Sequence, residues 1–360
     1  MFLKIYQKYI INNFLLVVLK TCLVFFSLIF IMGIFEELSF FSQLDANFYL
    51  PIILVLMNSL SILYLIFPFI FLIGAQFFFI KILDSDELIA FKNFGLSNSR
   101  ILSIIALTTF FAGIVIISVF YNASAILKFK YLDLKNEYTN DNKYLASVTE
   151  NGLWIKDYSD TELYFINAER VSTNKLHNVD ILVMNKNFEL NRSIFTIEAD
   201  ISNNKWLMNE AIIVEQNGDR KIVNNFSLIS NFNYIKINNI YSDLSAFNIF
   251  ELMKLKSDYE NINYSITEID MHIKRIFSYP FLLTVMTIFS SIIMLNIKHQ
   301  KSKIIYVAGG ILISVLIYYV NFFFGALGKN EQIPILLAIW LPILLLSIMS
   351  LIGTVRLNEK

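Results

Sequence analysis

Residue types that could catalyse a reaction occur in this sequence, but no spacing brings them together. The histidines His177, His272 and His299 lie in separate regions, without the spacing of metal ligands. Segment 325–329 (Gly-Ala-Leu-Gly-Lys) lacks the spacing and the following Ser or Thr of a phosphate-binding loop, and no nucleophile lies in a recognisable turn motif. The sequence therefore predicts no catalytic site, no metal site and no cofactor. Any energy that the chain uses is expected to come from a partner.

One short polar segment carries clear start and stop signals for a helix. Asp84, with Glu87 three residues later, fits a capping box. Gly95 fits the glycine that follows a helix, and Ser97 can cap the next one. These signals predict a helix over residues 84–95.

The predicted helix has an apolar stripe. Leu88, Phe91 and Phe94 follow one another at helical spacing, and Glu87 places a charge near the start. Such a helix either packs on the membrane boundary as a surface element or docks in a groove of a soluble partner as a coupling helix. The physical chemistry of these residues favours neither.

The segments on both sides of the polar regions are apolar enough to cross a membrane. The chain is 56% hydrophobic and only 16% charged, whereas a soluble protein of this length carries more charge. A membrane span needs about 20 apolar residues. Six runs are long enough to span a membrane: 14–35, 52–80, 101–122, 276–296, 304–325 and 333–355. The first of these runs is too long for a signal peptide, and we expect it to be retained in the mature protein.

Basic residues predict the orientation of these spans. Alternate loops and both ends are rich in Lys and Arg, whereas residues 36–51 have none and residues 326–332 have only Lys329. By the positive-inside rule, both termini are cytoplasmic and the middle of the chain lies outside the membrane on the opposite side. Lys20 is the one charge well inside a span. It is either a functional contact or, as its position near the span start favours, a side chain that reaches back to the membrane surface.

The polar middle of the chain alternates as β-strands do. Turn signals such as Asn217-Gly218-Asp219 separate the strand candidates, which favours a sandwich, a jelly roll or a curved open sheet. Two amphipathic helices are predicted after Ser245, the second over residues 266–279 at the membrane boundary. The strand candidates are 153–158, 162–167, 180–185, 193–199, 210–215, 221–228 and 234–241.

Charge and cysteine content exclude two classes of protein. The formal net charge is zero, which argues against nucleic-acid binding because phosphates require a basic excess. Cys22 is the single cysteine, so that the middle domain must be stabilised by packing and not by an internal disulfide.

The helical segment resembles a known family at residues 86–97. Its sequence, DELIAFKNFGLS, is similar to the coupling segment of the lipopolysaccharide export permeases LptF and LptG, with Asp86 where the family has Ser. Residues 152–157 (GLWIKD) and 164–171 (YFINAERV) resemble the LptG branch, and residues 271–280 (MHIKRIFSYP) resemble the family's approach to the fourth span. The order of these segments extends the resemblance over essentially the whole chain.

The resemblance implies one permease subunit of an ATP-binding-cassette transporter. Such a subunit pairs with an LptF-like permease, and an LptB-like ATPase dimer docks on the coupling helices. Lipopolysaccharide passes from the inner membrane to β-jellyroll domains that LptC-like and LptA-like proteins continue, and the first and fifth spans form lateral gates. The implied ATPase-docking residues here are Glu87, Leu88, Phe91 and Gly95.

One position departs from the family. Members often carry Lys at the outer end of the first span, facing the lipid A phosphates, but here that end carries Glu36 and Glu37. Lys128 and Lys130, just past the third span, are the nearest basic candidates for a lipid headgroup, although they could equally anchor the domain at the headgroup region.

The sequence thus predicts a membrane α-helical protein of six transmembrane helices with an inserted all-β, β-jellyroll-like periplasmic domain. Residues 1–122 would hold the first three spans and the coupling helix, residues 123–275 the periplasmic domain and residues 276–360 the last three spans. The alternative function is a membrane signalling protein whose outer domain binds a ligand. Transport predicts an apolar groove through the β domain, whereas signalling predicts a closed domain core.

Overall fold

The computed structural model describes residues 4–42, 49–138, 153–158, 162–172, 174–185, 189–234, 237, 243–261, 265–296 and 303–358. The chain divides into two compact units. One comprises Met1–Lys128, Phe247–Leu252 and Ile266–Lys360, and the other comprises Phe129–Ala246 and Met253–Ser265.

The first unit is helical. The helices before the β-strands are α1 (Ile5–Phe41), α2 (Tyr49–Asp84), α3 (Glu87–Asn93) and α4 (Asn98–Val115), which continues through a π-helical turn (Ile116–Tyr121) into α5 (Asn122–Glu137). After the last β-strand come a 3₁₀ turn (Leu244–Ala246), α6 (Ile249–Asn261), α7 (Thr267–Leu295), α8 (Lys303–Lys329) and α9 (Ile335–Asn358). The 3₁₀ turn belongs to the second unit, and so do the later parts of α5 and α6.

All six predicted membrane spans are present. In the part of the chain that the structure describes, six helices are long and apolar enough to cross a membrane: Ile5–Phe41, Tyr49–Asp84, Asn98–Lys135, Thr267–Leu295, Lys303–Lys329 and Ile335–Leu357. Most extend beyond the apolar runs because helical hydrogen bonding continues into the polar flanks, where hydropathy alone gives no signal.

Residues 266–279 do not form a separate helix as predicted. They are the first turns of α7, which runs unbroken through Pro280. Proline in a helix interior leaves a carbonyl without its donor, and hydroxyl side chains often bond the backbone around such positions. Here Ser278 Oγ donates to the Arg275 carbonyl at 2.9 Å, and Thr284 Oγ1 donates to the Pro280 carbonyl at 2.7 Å.

Close packing joins α4 and α7 at Gly113. A Cβ added to Gly113 would lie 2.8 Å from Pro280 Cα and 3.0 Å from Pro280 Cβ. Because the first of these atoms belongs to the backbone, no side-chain rotation can relieve the overlap, and the two helices meet only because residue 113 has no side chain.

We therefore expect Gly113→Ala to destabilise the helical unit by about 1–3 kcal/mol, the usual cost of overpacking. Thermal unfolding of the detergent-solubilised chain would measure the loss. Gly309→Ala is the matched control, because a Cβ there meets nothing within 4 Å. Equal melting temperatures for the two variants would contradict the packing described for Gly113.

The second unit is built on one antiparallel sheet. Its strands are β1 (Leu153–Tyr158), β2 (Leu163–Ser172), β3 (Lys175–Met184), β4 (Leu190–Asp200), β5 (Lys205–Glu215) and β6 (Arg220–Ile229), in the order β1-β2-β3-β4-β5-β6. The predicted turn at Asn217-Gly218-Asp219 joins β5 to β6, with Gly218 at φ +87°. The predicted combination of helical spans with an inserted β domain is confirmed.

The seventh strand candidate, 234–241, is not a strand at its described residues. Tyr234 and Ile237 are helical, and the Ile237 amide donates to the Asn233 carbonyl at 2.9 Å. The other residues of that candidate lie outside the described part of the chain. Alternation of Tyr, Ile and Asn there resembles a strand, but Ile237 is fully buried in the core of the β domain.

The core of the β domain lies on one face of the sheet. Among the described residues it contains 19 apolar side chains, none more than 6% exposed, with Trp206 as the largest fully buried one. The opposite face also carries apolar groups, including Trp154, Ile197 and Ile222, and these are exposed. Since side chains alternate along a strand, one face packs the core while the other meets solvent.

Candidate functional site: a short helix between the second and third spans

The helix α3 is shorter than predicted, and it begins later. Asp84 is the last residue of α2, so that it does not cap α3. The N-cap is Asp86, at φ 55°, and its side chain makes no capping bond. The predicted capping box from Asp84 to Glu87 was wrong, because α2 continues to Asp84 and ends there.

The predicted end of α3 is confirmed. Gly95 lies at φ +79°, where glycine costs least. Its amide donates to the Lys92 carbonyl at 2.9 Å, and the Leu96 amide donates to the Phe91 carbonyl at 3.0 Å, which together form a Schellman motif. Ser97 caps α4, since its hydroxyl accepts a bond from the Arg100 amide. The segment is therefore a defined structural element held between two long helices.

Two of the four predicted docking residues, Glu87 and Phe91, lie against the chain's own first helix, and a third, Leu88, is buried. Leu88 is buried at 8% exposure, and the half-buried Phe91 meets the Tyr9 ring edge-on with centroids 6.3 Å apart. The Glu87 carboxylate lies beside the Tyr9 side chain. The face of α3 that lies against Tyr9 is thus occupied.

The exposed apolar groups are instead Phe94 and Ile89. Phe94 is 85% exposed and Ile89 is 49% exposed. Ile89 was absent from the predicted stripe because sequence spacing shows which side chains share a face but not which face the rest of the protein covers. Phe94, Ile89 and the exposed Gly95 that follows Phe94 are the exposed residues of this segment considered for docking, and we use "outward patch" for these three residues below.

The junction of α2 and α3 is tied to the fifth span, α8. The Asp84 carboxylate forms an ion pair with Lys303, the first residue of α8. Two turns earlier in α2, the fully buried Gln76 donates through Nε2 to the Tyr306 carbonyl at 3.3 Å. Gln76 fits there only because residue 310 is glycine, since a Cβ at that position would lie 1.8 Å from Gln76 Nε2.

The two basic headgroup candidates differ in environment. Lys128 is half-buried and donates through Nζ to Asn58 Oδ1 at 2.8 Å, whereas Lys130 is exposed. Lys20 is also exposed on α1. Asn58 in turn lines a cavity of about 190 Å³ between α1 and α2. The acidic residues Glu36 and Glu37 of α1 line the same cavity.

Two of the histidines have hydroxyl partners. His272 Nε2 lies 3.0 Å from the Tyr121 hydroxyl, and His177 Nε2 lies 2.7 Å from Ser172 Oγ. His299 lies outside the described residues. Among the described residues, no group of three or more His, Cys, Asp or Glu could hold a metal ion.

Six apolar helices, an inserted β domain and a capped helix between the second and third spans are the features of a multi-pass membrane protein of the permease class. The family model for "Lipopolysaccharide export system permease LptF/LptG" matches residues 8–356, nearly the whole chain. The chain belongs to this family. It is therefore a multi-pass inner-membrane protein and a permease component of lipopolysaccharide export. A search of curated proteins found no match.

Proposed function

We propose that the chain is the LptG-like permease subunit of an ATP-binding-cassette transporter that extracts lipopolysaccharide from the inner membrane and passes it to a periplasmic β-jellyroll bridge. The observation that carries the proposal is the outward patch of α3. A rigid, capped helix that exposes an aromatic side chain at 85% matches an anchor for a soluble partner.

The proposed assembly has four further kinds of member. An LptF-like permease pairs with the chain, an LptB-like ATPase dimer docks on the coupling helices, and LptC-like and LptA-like proteins continue the bridge. Both termini and α3 lie in the cytoplasm, and the β domain lies in the periplasm. This orientation rests on the distribution of Lys and Arg. The domain limits at residues 122 and 275 are part of the same proposal.

Within this assembly we assign the residues of the α3 segment two roles, which differ from the predicted docking set of Glu87, Leu88, Phe91 and Gly95. Phe94, Ile89 and Gly95 of the outward patch contact the ATPase. Glu87, Leu88 and Phe91 hold α3 against the rest of the chain, since all three are at least half-buried. Lys128 and Lys130 remain the candidates for contact with a lipid headgroup.

The energetics of extraction require an ATPase. Moving acyl chain into water costs about 0.8 kcal/mol per CH₂, so that one fourteen-carbon chain costs on the order of 10 kcal/mol. A multi-chain lipid therefore needs an apolar surface at every step and an external energy source. Since the predicted sites of the chain include none that could hydrolyse a nucleotide, the energy is assigned to the partner.

A signalling function has one observation in its favour. Signalling predicts a closed core in the β domain, and the 19 core side chains there are packed to 6% exposure or less. In that case α3 would report ligand binding instead of receiving mechanical work. Transport therefore requires that this core opens to admit lipid.

Purification of the tagged chain from native membranes tests the proposal. We expect an ATPase and a second six-span protein to co-purify with it, in amounts that stay constant through successive washes. Recovery of the chain alone, or with a signalling enzyme in place of the ATPase, would contradict the proposal and favour the alternative.

A further inference from the structure

Among the described residues, β1 and β6 are the outermost strands of the sheet. The segment that follows β6, Ser230–Tyr234, bonds to several parts of the sheet. The Ser230 amide donates to the Asn204 carbonyl at 2.8 Å, and the Tyr234 amide donates to the Ile201 carbonyl at 2.8 Å. We call Ser230–Tyr234 the strap, because it connects the end of β6 to the β4–β5 turn.

A buried carboxylate fastens the strap to the opposite edge of the sheet. Asp157 in β1 is 1% exposed. Its Oδ2 accepts bonds from Ser230 Oγ at 2.6 Å and from the Asn231 amide at 3.1 Å, and its Oδ1 accepts from Asn231 Nδ2 at 2.8 Å. Asp157 is the last residue of the GLWIKD segment, whose role the proposed function does not explain.

The strap also closes the core with an apolar side chain. Phe232 is fully buried, and its carbonyl accepts a bond from Trp206 Nε1 at 2.8 Å. The Phe232 amide donates to Ser230 Oγ at 3.0 Å. Because Ser230 Oγ also donates to Asp157, this pair of bonds orders the backbone of Phe232 as well. Burial raises the pKa of the Tyr234 hydroxyl, and the negative charge of Asp133 adds to the rise. Tyr234 therefore stays neutral at physiological pH.

The composition of the strap suits it to open and close. Its attachment to β1 is made of hydrogen bonds, each worth only about 0.5–3 kcal/mol net because water can replace the partner. Its contribution to the core is the fully buried Phe232, with Tyr234 only partly buried against the same core. An acyl chain that took the place of Phe232 would exchange one buried apolar surface for another at little net cost. A permanent closure would instead place several large apolar groups in the strap.

We infer that the strap is a gate of the β domain, held shut by Asp157, and that it must leave the core for acyl chains to enter. This inference rests on the proposed function, because it takes the passage of lipid through the β domain as given. It assigns Asp157 a positioning role, in which the carboxylate keeps the empty domain closed and its apolar core away from water.

A reversible covalent lock tests the inference. The full chain carrying Cys22→Ser, Asp157→Cys and Ser230→Cys is assembled with its partner permease and ATPase in proteoliposomes that contain lipopolysaccharide. We expect the oxidised form to lose ATP-dependent lipopolysaccharide release and the reduced form to regain it. The matched control is Glu210→Cys with Asn224→Cys, which links two residues already paired across β5 and β6 and should transport in both redox states.

Two results of this transport assay distinguish a failure of the proposed gate from a failure of the proposed function. If the cross-linked lock transports as fast as its reduced form, the strap is not a gate, while the proposed function stands. If no variant releases lipopolysaccharide with ATP, Cys22→Ser alone included, the proposed function fails.

A second measurement applies if the lock variant does not fold. Hydrogen exchange of the strap in Asp157→Asn should be faster than in the native chain, since a neutral amide cannot accept all three bonds. The native strap should lose protection when ATP and lipopolysaccharide are added. Unchanged exchange in both comparisons would overturn the inference.

Discussion

Replacement of Trp206 by alanine is expected to unfold the β domain and to leave the six spans folded. Trp206 is the largest fully buried side chain among the described residues, and its indole N–H holds the Phe232 carbonyl. Truncation of such a core aromatic costs about 3–5 kcal/mol, and loss of a buried hydrogen bond adds about 1–3 kcal/mol. Against a typical domain stability of about 5–15 kcal/mol, this loss is enough to populate the unfolded β domain.

Limited proteolysis of the full chain in detergent measures this effect. We expect rapid cleavage between residues 153 and 234 in Trp206→Ala, with the fragments that contain the spans still protected. Trp154→Ala is the matched control, because Trp154 is 58% exposed on the other face of the sheet. Equal cleavage rates in the two variants would show that the core described here does not hold the domain together.

Replacement of Phe94 by alanine is expected to release the ATPase from the membrane subunits. An exposed aromatic side chain on a rigid helix is the kind of group that dominates interface energies, and its truncation typically costs about 2 kcal/mol or more, roughly a 30-fold increase in Kd. The helix itself should persist, because Phe94 contributes only its backbone to the cap of α3. The expected result is therefore weaker docking of a folded protein.

Titration of the purified ATPase against the membrane subunits gives the Kd for this comparison. Phe250→Ala is the control, since Phe250 is 78% exposed in α6 and lies outside the proposed docking surface. Leu88→Ala provides a contrast. Because Leu88 is buried, its truncation should lower the melting temperature of the chain more than it raises the Kd for the ATPase. If Phe94→Ala and Phe250→Ala bind the ATPase equally well, the outward patch is not the docking surface.

Long-period features of the sequence predicted the fold well. The six spans were predictable because each apolar run is long enough to cross the bilayer as a helix. Helices and strands of soluble domains do not contain apolar runs of that length. The end of α3 was also predictable, because Gly95 and Ser97 act through bonds to their own neighbours in sequence. Such local signals do not depend on the rest of the fold.

Features that depend on tertiary neighbours could not be predicted in the same way. Asp84 is three residues before Glu87, but whether it starts one helix or ends another depends on how far α2 continues. The outward face of α3 depends on Tyr9, some 80 residues earlier in the chain, which covers Phe91. The role proposed for Asp157 depends on Ser230 and Asn231, which lie 73 and 74 residues later in the chain.

The polar contacts inside the helical unit also had no signal in the sequence. Gln76 lies in an apolar run and binds the Tyr306 carbonyl across α2 and α8. Gly310 permits this contact, but a glycine in a span is common for many reasons. Recognition of the pair from sequence would require knowledge that α2 and α8 are neighbours.

The most direct test of the transporter function is ATP-driven release of lipopolysaccharide from proteoliposomes that contain the chain, its partner permease and the ATPase, with the periplasmic acceptor proteins outside. We expect release that requires ATP and that falls with Phe94→Ala but not with Phe250→Ala. Release at the same rate without ATP, or no release although all partners are bound and ATP is hydrolysed, would contradict the proposed transport function.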